Sequence, residues 1–116
     1  QKKKIIPILG NGLQKKQYLH VDDLLNSIIY IAKKTKKLFD VFNIGPEDHG
    51  ITVREIVKIF LKITSSKKKA RYETKEFGWP GDVTKFKYSI EKAKKIGFKI
   101  KGSSKSAITK SIVDNI

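Results

Sequence analysis

Between Val21 and Ala32 the apolar residues Val21, Leu24, Leu25, Ile28, Ile29 and Ala32 recur at helical spacing and line up as one continuous stripe. No other element is written so plainly, and any fold for the chain has to accommodate it. Asp22-Asp23 read as its cap and acidic first turn, and Lys33, Lys34, Lys36 and Lys37 load its C-terminal end, where cations oppose the helix dipole favourably. A second helix carries a full start signal. Thr52 and Glu55 have capping-box spacing, Ile51 can staple onto Ile56, and Ile56, Val57, Phe60 and Ile63 make its buried face. Ser89 is expected to cap a short helix closed by Gly97, and Ser103 or Ser104 a last one bearing Ile108, Ile112 and Ile116.

Strands are fewer and shorter. Lys3 to Leu9 is a β-branched run interrupted by Pro7, which suits an edge or a strand end. Tyr18 to Val21, Asp40 to Ile44 (DVFNI) and Ala70 to Glu73 read as further strands, and Phe77 to Asp82 (FGWPGD) as an aromatic loop. The expected class is α/β or α+β, with four helices and strands too scattered to form a good sheet alone. DVFNI has no obvious parallel neighbour, and the helix before it suits a crossover to a larger sheet. The chain opens at Gln1 and holds no methionine, so we expect a fragment of a longer protein. There is no internal repeat.

Composition narrows the function classes. The 116 residues include 26 basic and 11 acidic side chains, for a formal charge of +15, yet 39% apolar and 9% aromatic content argue for a folded core. A stand-alone module that binds nucleic acid or another anionic surface is the alternative this charge raises. Only Arg54 and Arg71 are arginine, however, and the guanidinium fork is what reads guanine or clamps phosphate bidentately. Inflated lysine and isoleucine together look like codon drift, which makes nucleic acid the disfavoured partner. No apolar run approaches the roughly 20 residues of a membrane span, so no membrane partner is expected. Absent cysteine excludes disulfides and thiolate sites and fits a reducing compartment, hence an expected cytoplasmic location.

Two Tyr-x-x-x-Lys spacings occur, Tyr30 to Lys34 and Tyr88 to Lys92, about as many as chance supplies in so lysine-rich a chain. Tyr30 lies beside the apolar stripe and Tyr88 precedes a cap, so neither pair is taken as catalytic. His20 and His49 read as a satisfied, partly buried residue and a loop residue, and no metal site is expected. Gly10-Asn11-Gly12 lacks the third glycine and following helix of a dinucleotide fingerprint and reads as a turn. Lys15 and Lys16 after that turn suit a diphosphate as point charges, and Asp82 after Gly81 suits a pair of sugar hydroxyls.

ILGNGLQKKQYLHVDDL, DVFNIGPEDHGITVREIVKIF and GWPGDVTKFKYSIEKAKKIGFKIKGSSKSAI, taken in order, resemble the C-terminal half of the extended short-chain dehydrogenase/reductases. Within them the likeness is to NAD-dependent nucleotide-sugar epimerases and dehydratases, above all UDP-glucose 4-epimerase-like proteins. The resemblance implies that residues 1–116 are the substrate-binding portion, and that the NAD-binding Rossmann half, with the catalytic Tyr/Lys pair, lies upstream. The implied cofactor is NAD, bound by that half and not by this chain. The implied partners are a nucleotide sugar such as a UDP-sugar, the Rossmann half itself and, for the whole protein, a homodimer mate. The implied substrate-binding residues are Lys16, on the diphosphate, and Asp82, on the ribose. Gly81 lets the backbone approach, and Trp79 is a candidate cover for the ligand, although a loop tryptophan more commonly plugs a core edge. No catalytic residue is implied, so the chain alone is expected not to turn over. Relatives often carry an arginine in or before the loop at Phe77 and Trp79; none is found there.

Overall fold

The protein is seen in a computed structural model that describes residues 4–76, 78–81 and 88–116. Its elements run β1 (Ile5–Ile8), β2 (Lys15–Lys16), α1 (Val21–Lys34), β3 (Ile51–Thr52), α2 (Val53–Ile63), β4 (Lys69–Tyr72), α3 (Glu91–Lys95) and α4 (Ser104–Val113). β1 and β4 pair in parallel, Ile5 facing Lys69 and Ile8 facing Tyr72, while β2 and β3 pair antiparallel, Lys16 facing Ile51. The expected α/β class of four helices and few short strands is what the chain adopts.

Most caps follow the sequence. Thr52 and Glu55 close a complete capping box on α2, Ser103 and Ser106 close another on α4, and Gly97 takes φ 85° after α3. Two caps differ from expectation. The N-cap of α1 is His20, whose Nδ1 accepts from Asp22 N at 3.2 Å, so Asp22 and Asp23 are first-turn acids only. The N-cap of α3 is Ile90, although Ser89 Oγ still accepts from Glu91 N at 3.3 Å.

Two expected strands are not formed. Tyr18 N donates to Ser104 Oγ at 3.1 Å instead of to a ladder, and the Gln17 side chain bonds the Pro46 and Asp48 carbonyls. Tyr18–Val21 is therefore a tied-down approach to α1 and not a strand. Residues 40–44 enter no sheet either. The segment is held locally: Val41 N donates to Asp40 Oδ1 at 2.9 Å, Lys92 bonds Asp40 and the Val41 carbonyl and lies over the Phe42 ring, and Asn43 Nδ2 donates to Ser89 O at 3.2 Å. A parallel strand needs a neighbour at about 4.8 Å, and none of the described residues supplies one.

The core is small, comprising Ile31, Ile51, Ile90, Ala93, Phe98 and Ala107 with the polar His20, Ser27 and Ser104. Asp48 binds its parts together. Its carboxylate accepts from Ser104 N at 2.5 Å, Ser104 Oγ at 2.7 Å and Gly50 N at 2.8 Å, tying the loop before β3 to the first turn of α4. α4 in turn packs on α2. Burial pushes the Asp48 carboxyl up, but these three donors outweigh it and hold it below its ordinary value of 3.8.

The stripe on α1 lies on the outward side of the helix. Val21 is 57% exposed, Leu24 40%, Leu25 53%, Ile28 50% and Ile29 53%, whereas the side of α1 turned into the chain buries Ser27 and Ile31. The Tyr30 ring joins that inner side, 5.8 Å from the ring of Phe98. Helical periodicity reports that a face will be buried, not which part of a protein buries it.

Because the folded Asp48 pKa is depressed, its stabilisation is present above 3.8 and is lost as pH falls through the lowered folded value. Asp48→Asn is expected to lower stability by about 1–3 kcal/mol at neutral pH. Thermal melts should show the gap between variant and parent narrowing as pH falls below 3.8. A gap that persists there, or that is absent at pH 7, contradicts this role.

Candidate functional site

The expected ligand residues lie along one path of chain, from the Gly10-Asn11-Gly12 turn through β2, and on the loop after β4. The turn is fastened to α2 at its start: Arg54 N donates to Gly12 O at 3.0 Å and Val53 N to Gln14 O at 3.3 Å. With Glu55 N on Thr52 Oγ1 at 3.2 Å, three of the orphan donors of this helix are already occupied. The helix dipole therefore holds the protein's own turn, and an anionic ligand on β2 would have to be met by lysine charge.

Gly12 adopts φ 74°, and a Cβ on it would sit 2.6 Å from the Tyr72 ring and 2.9 Å from Arg54 Cγ. Arg54 completes this packing, donating from Nε to Asn11 O at 2.9 Å and stacking on Tyr72 with its guanidinium carbon 4.8 Å from the ring centre. The glycine space is thus filled by Tyr72, and the turn leads into β2 rather than a helix. Its residues do not fit the pyrophosphate cradle of NAD, and no redox step is assigned to this chain. Arg54 was missed by sequence reasoning as a member of this region. Its place at the second residue after the Thr52 cap was the available signal.

Lys16 lies on β2, half-buried and registered against the buried Ile51. The loop after β4 is drawn to the same turn: Glu73 N donates to Gly10 O at 2.9 Å and Asn11 N to Lys75 O at 2.6 Å. Gly78 passes so close that a Cβ would stand 3.4 Å from Gln14 Nε2 and 3.5 Å from Leu9 O. Gln14 Oε1 is buried there without a hydrogen-bond partner among the described residues. Gly81 takes φ 89°, with the Trp79 ring 3.4 Å from where its Cβ would be. Trp79 is 60% exposed, so it folds over the Gly81 backbone and plugs no core edge. Asp82 and Phe77 lie outside the described residues.

The other candidates resolve as structural. Tyr30 OH donates to Ile96 O at 3.1 Å and Tyr88 OH to Pro46 O at 3.1 Å, so both phenols cap carbonyls. Burial first, then Asp48 and Glu47, raise the Tyr88 pKa, the reverse of what a tyrosine base needs. His20 accepts from Asp22 N at Nδ1, and its Nε2 lies 3.2 Å from Asp114 Oδ2. His20, Asp22 and Asp114 bring ligand atoms within 4.8 Å of one another, but Lys110 Nζ already sits 3.0 Å from Asp22 Oδ2 and 2.7 Å from Asp114 Oδ2. The hydrogen bond from Lys110 is the main cause holding Asp114 below the usual carboxylate range. An internal ammonium thus occupies the place a metal would take. His49 is an exposed loop residue.

Among the described residues no helix is long and apolar enough to cross a membrane. No family model matches the chain. A 57-residue stretch is 40% identical to the uncharacterized protein y4nG of Sinorhizobium fredii (strain NBRC 101917 / NGR234), covering 49% of this chain and 14% of that protein. The fold is similar to that of MoeE5, solved in complex with UDP-glucuronic acid and NAD, with TM-score 0.73 and 22% identity over 94% of this chain and 36% of MoeE5. It is similar also to the UDP-glucuronic acid 4-epimerase of Bacillus cereus, solved with the same two ligands, with TM-score 0.67 and 21% identity over 95% of this chain and 35% of the epimerase. The chain thus spans little more than a third of either solved protein, and shares the fold of that third.

Gly12→Ala, which combines a positive φ with a ring collision, is expected to cost about 2–4 kcal/mol. Gly78→Ala, with contacts no closer than 3.4 Å, should cost under about 1 kcal/mol. Denaturant melts of the two variants check this, and equal losses would contradict the packing described for the turn.

Proposed function

We propose that the chain is the nucleotide-sugar-binding portion of an NAD-dependent epimerase or dehydratase, with the dinucleotide and the catalytic groups carried by further polypeptide. The observation that supports it most is the convergence of β2 and the loop 78–81 on one glycine turn. β2 brings lysine charge out of that turn, and Gly78 brings open backbone against Leu9 and Gln14 beside it. A fold shared with two proteins solved with UDP-glucuronic acid and NAD agrees with this reading, as does the order of the three sequence blocks.

In this reading Lys16 supplies positive charge to the diphosphate, and Asp82 accepts from the ribose hydroxyls, for which paired carboxylate oxygens are suited. Gly81 lets the backbone approach, and the exposed Trp79 ring closes over the bound nucleotide. Lysine in place of a guanidinium gives attraction without bidentate geometry, so affinity should depend on salt more than on exact phosphate orientation. By itself the chain binds and does not turn over.

Calorimetric titration with UDP-glucuronic acid at low ionic strength tests the assignment. Lys16→Ala is expected to weaken binding by about tenfold, the worth of one charge-assisted hydrogen bond, whereas Lys36→Ala, just beyond the C-terminal end of α1, should leave it unchanged. Equal effects of the two substitutions, or tighter binding of a DNA duplex than of the UDP-sugar, would sink the proposal in favour of a general anion-binding surface.

A further inference from the structure

We infer that residues 99–102 are an unpaired strand edge that receives an extended, acidic peptide segment of a partner protein, beside a cleft whose other wall is α1. Neither a sugar nor a cofactor is involved, and none of Lys16, Trp79 and Gly81 belongs to this surface. From Phe98 to Ser104 the chain runs buried, exposed, half-buried, exposed, half-buried, exposed, buried, which is the two-residue period of a strand. Yet these residues enter no ladder: among the described residues the sheets pair β1 with β4 and β2 with β3.

Backbone hydrogen bonding is interrupted over the same stretch. On one side Gly97 N donates to Lys94 O at 2.8 Å and Phe98 N to Ala93 O at 3.1 Å; on the other, Ser103 N donates to Ser106 Oγ at 2.7 Å. Between them the backbone groups of Lys99, Ile100, Lys101 and Gly102 have no protein partner among the described residues. Unpaired main-chain groups are the template for strand addition. A stretch fastened at both ends loses little further freedom when a strand is laid along it.

The cleft beside this stretch has a volume of about 390 Å³, and Asp23, Asn26 and Tyr30 line it from α1. Tyr30 makes a firm wall, its OH donating to Ile96 O at 3.1 Å and its ring lying 5.8 Å from that of Phe98. Phe98 and Ile100 add apolar surface for the alternate side chains of a bound strand. The Asp23 carboxylate and the Asn26 amide enter no hydrogen bond or ion pair among the described residues, whereas Asp22, Asp40, Asp48 and Asp114 are all engaged. Polar groups left open in a cleft are available to a ligand's main chain.

Charge selects the occupant. Lys99 and Lys101 stand two residues apart, line the cleft, are exposed and form no ion pair among the described residues. Carboxylates at the same two-residue spacing on an added strand match them. Exposed ion pairs are weak, so the main chain supplies the affinity and the lysines choose the sign of the partner. A second copy of this chain does not qualify, because no two of its 11 acidic residues stand two apart. A nucleic-acid duplex would meet the lysines but leave the backbone groups unpaired.

Calorimetric titration of the 116-residue chain with acetyl-Glu-Val-Glu-Val-Glu-amide tests the inference, alongside the same peptide N-methylated at every backbone nitrogen, which keeps its charge and side chains but has no main-chain donor. The unmodified peptide should bind saturably, and the methylated one about tenfold more weakly or worse, the worth of one or two main-chain hydrogen bonds. Lys99→Gln combined with Lys101→Gln should weaken binding by about fivefold, as for two exposed ion pairs. Amide exchange followed by NMR locates the contact: the amides of residues 99–102 should slow by about tenfold or more when the peptide is added, and those of the lysine run at 33–37 should not change. Equal affinity for the two peptides, or equal protection of these amides by a DNA duplex, would overturn the inference in favour of a general anion surface. Protection before any peptide is added would overturn it too, in favour of a second copy if it rises with protein concentration, and of the protein's own further polypeptide if it is confined to the full product of the reading frame.

Discussion

The Asp48 carboxylate is the joint on which the ordered part of the chain turns. It receives the Ser104 amide and hydroxyl and the Gly50 amide, and Gln17 bonds the Asp48 carbonyl, so one half-buried residue gathers the approach to α1, the loop before β3 and the start of α4. Ser104 is fully buried and Tyr18 N reaches its Oγ, which leaves few ways to rearrange these segments independently. A network of this kind, satisfied at every member, specifies geometry beyond what so small an apolar core would. The lysine-bearing β2 follows from it, since its partner β3 begins immediately after Gly50.

Polar and apolar groups of the chain are matched unequally. Its polar groups are well matched: Lys110 lies between Asp22 and Asp114, His20 caps α1 and reaches Asp114, and Lys92 and Lys94 pair with Asp40 and Glu47. Its apolar groups are not. Among the described residues the polar groups are largely paired, while Val21, Leu25, Ile28 and Ile29 on α1 stay exposed.

Local signals in the sequence were read well wherever they depend on a few neighbouring residues. The Thr52–Glu55 box, the Ser103 cap, Gly97 after α3 and the strand at β4 all appear within a residue or two of their expected places. Failures arose where the outcome depended on distant partners. Residues 40–44 have strand composition but no ladder among the described residues, and the α1 stripe forms as a stripe while its direction, outward, depends on the rest of the fold. Conversely β2 is two lysines with no apolar alternation, and only its register against Ile51 and Thr52 reveals it. Around the proposed site, Lys16, Trp79 and Gly81 could be singled out only by residue type and resemblance, and the filling of the Gly12 space by Tyr72 and the clamp of Arg54 on the turn required three dimensions.

A nucleotide-sugar surface on β2 and the loop after β4 is most directly tested by following backbone amide resonances of the 116-residue chain during titration with UDP-glucuronic acid. The account predicts saturable shifts concentrated in residues 10–16 and 78–82, with the lysine runs at 33–37 and 67–69 undisturbed. Shifts centred on those lysine runs, reproduced equally by inorganic diphosphate, would contradict it.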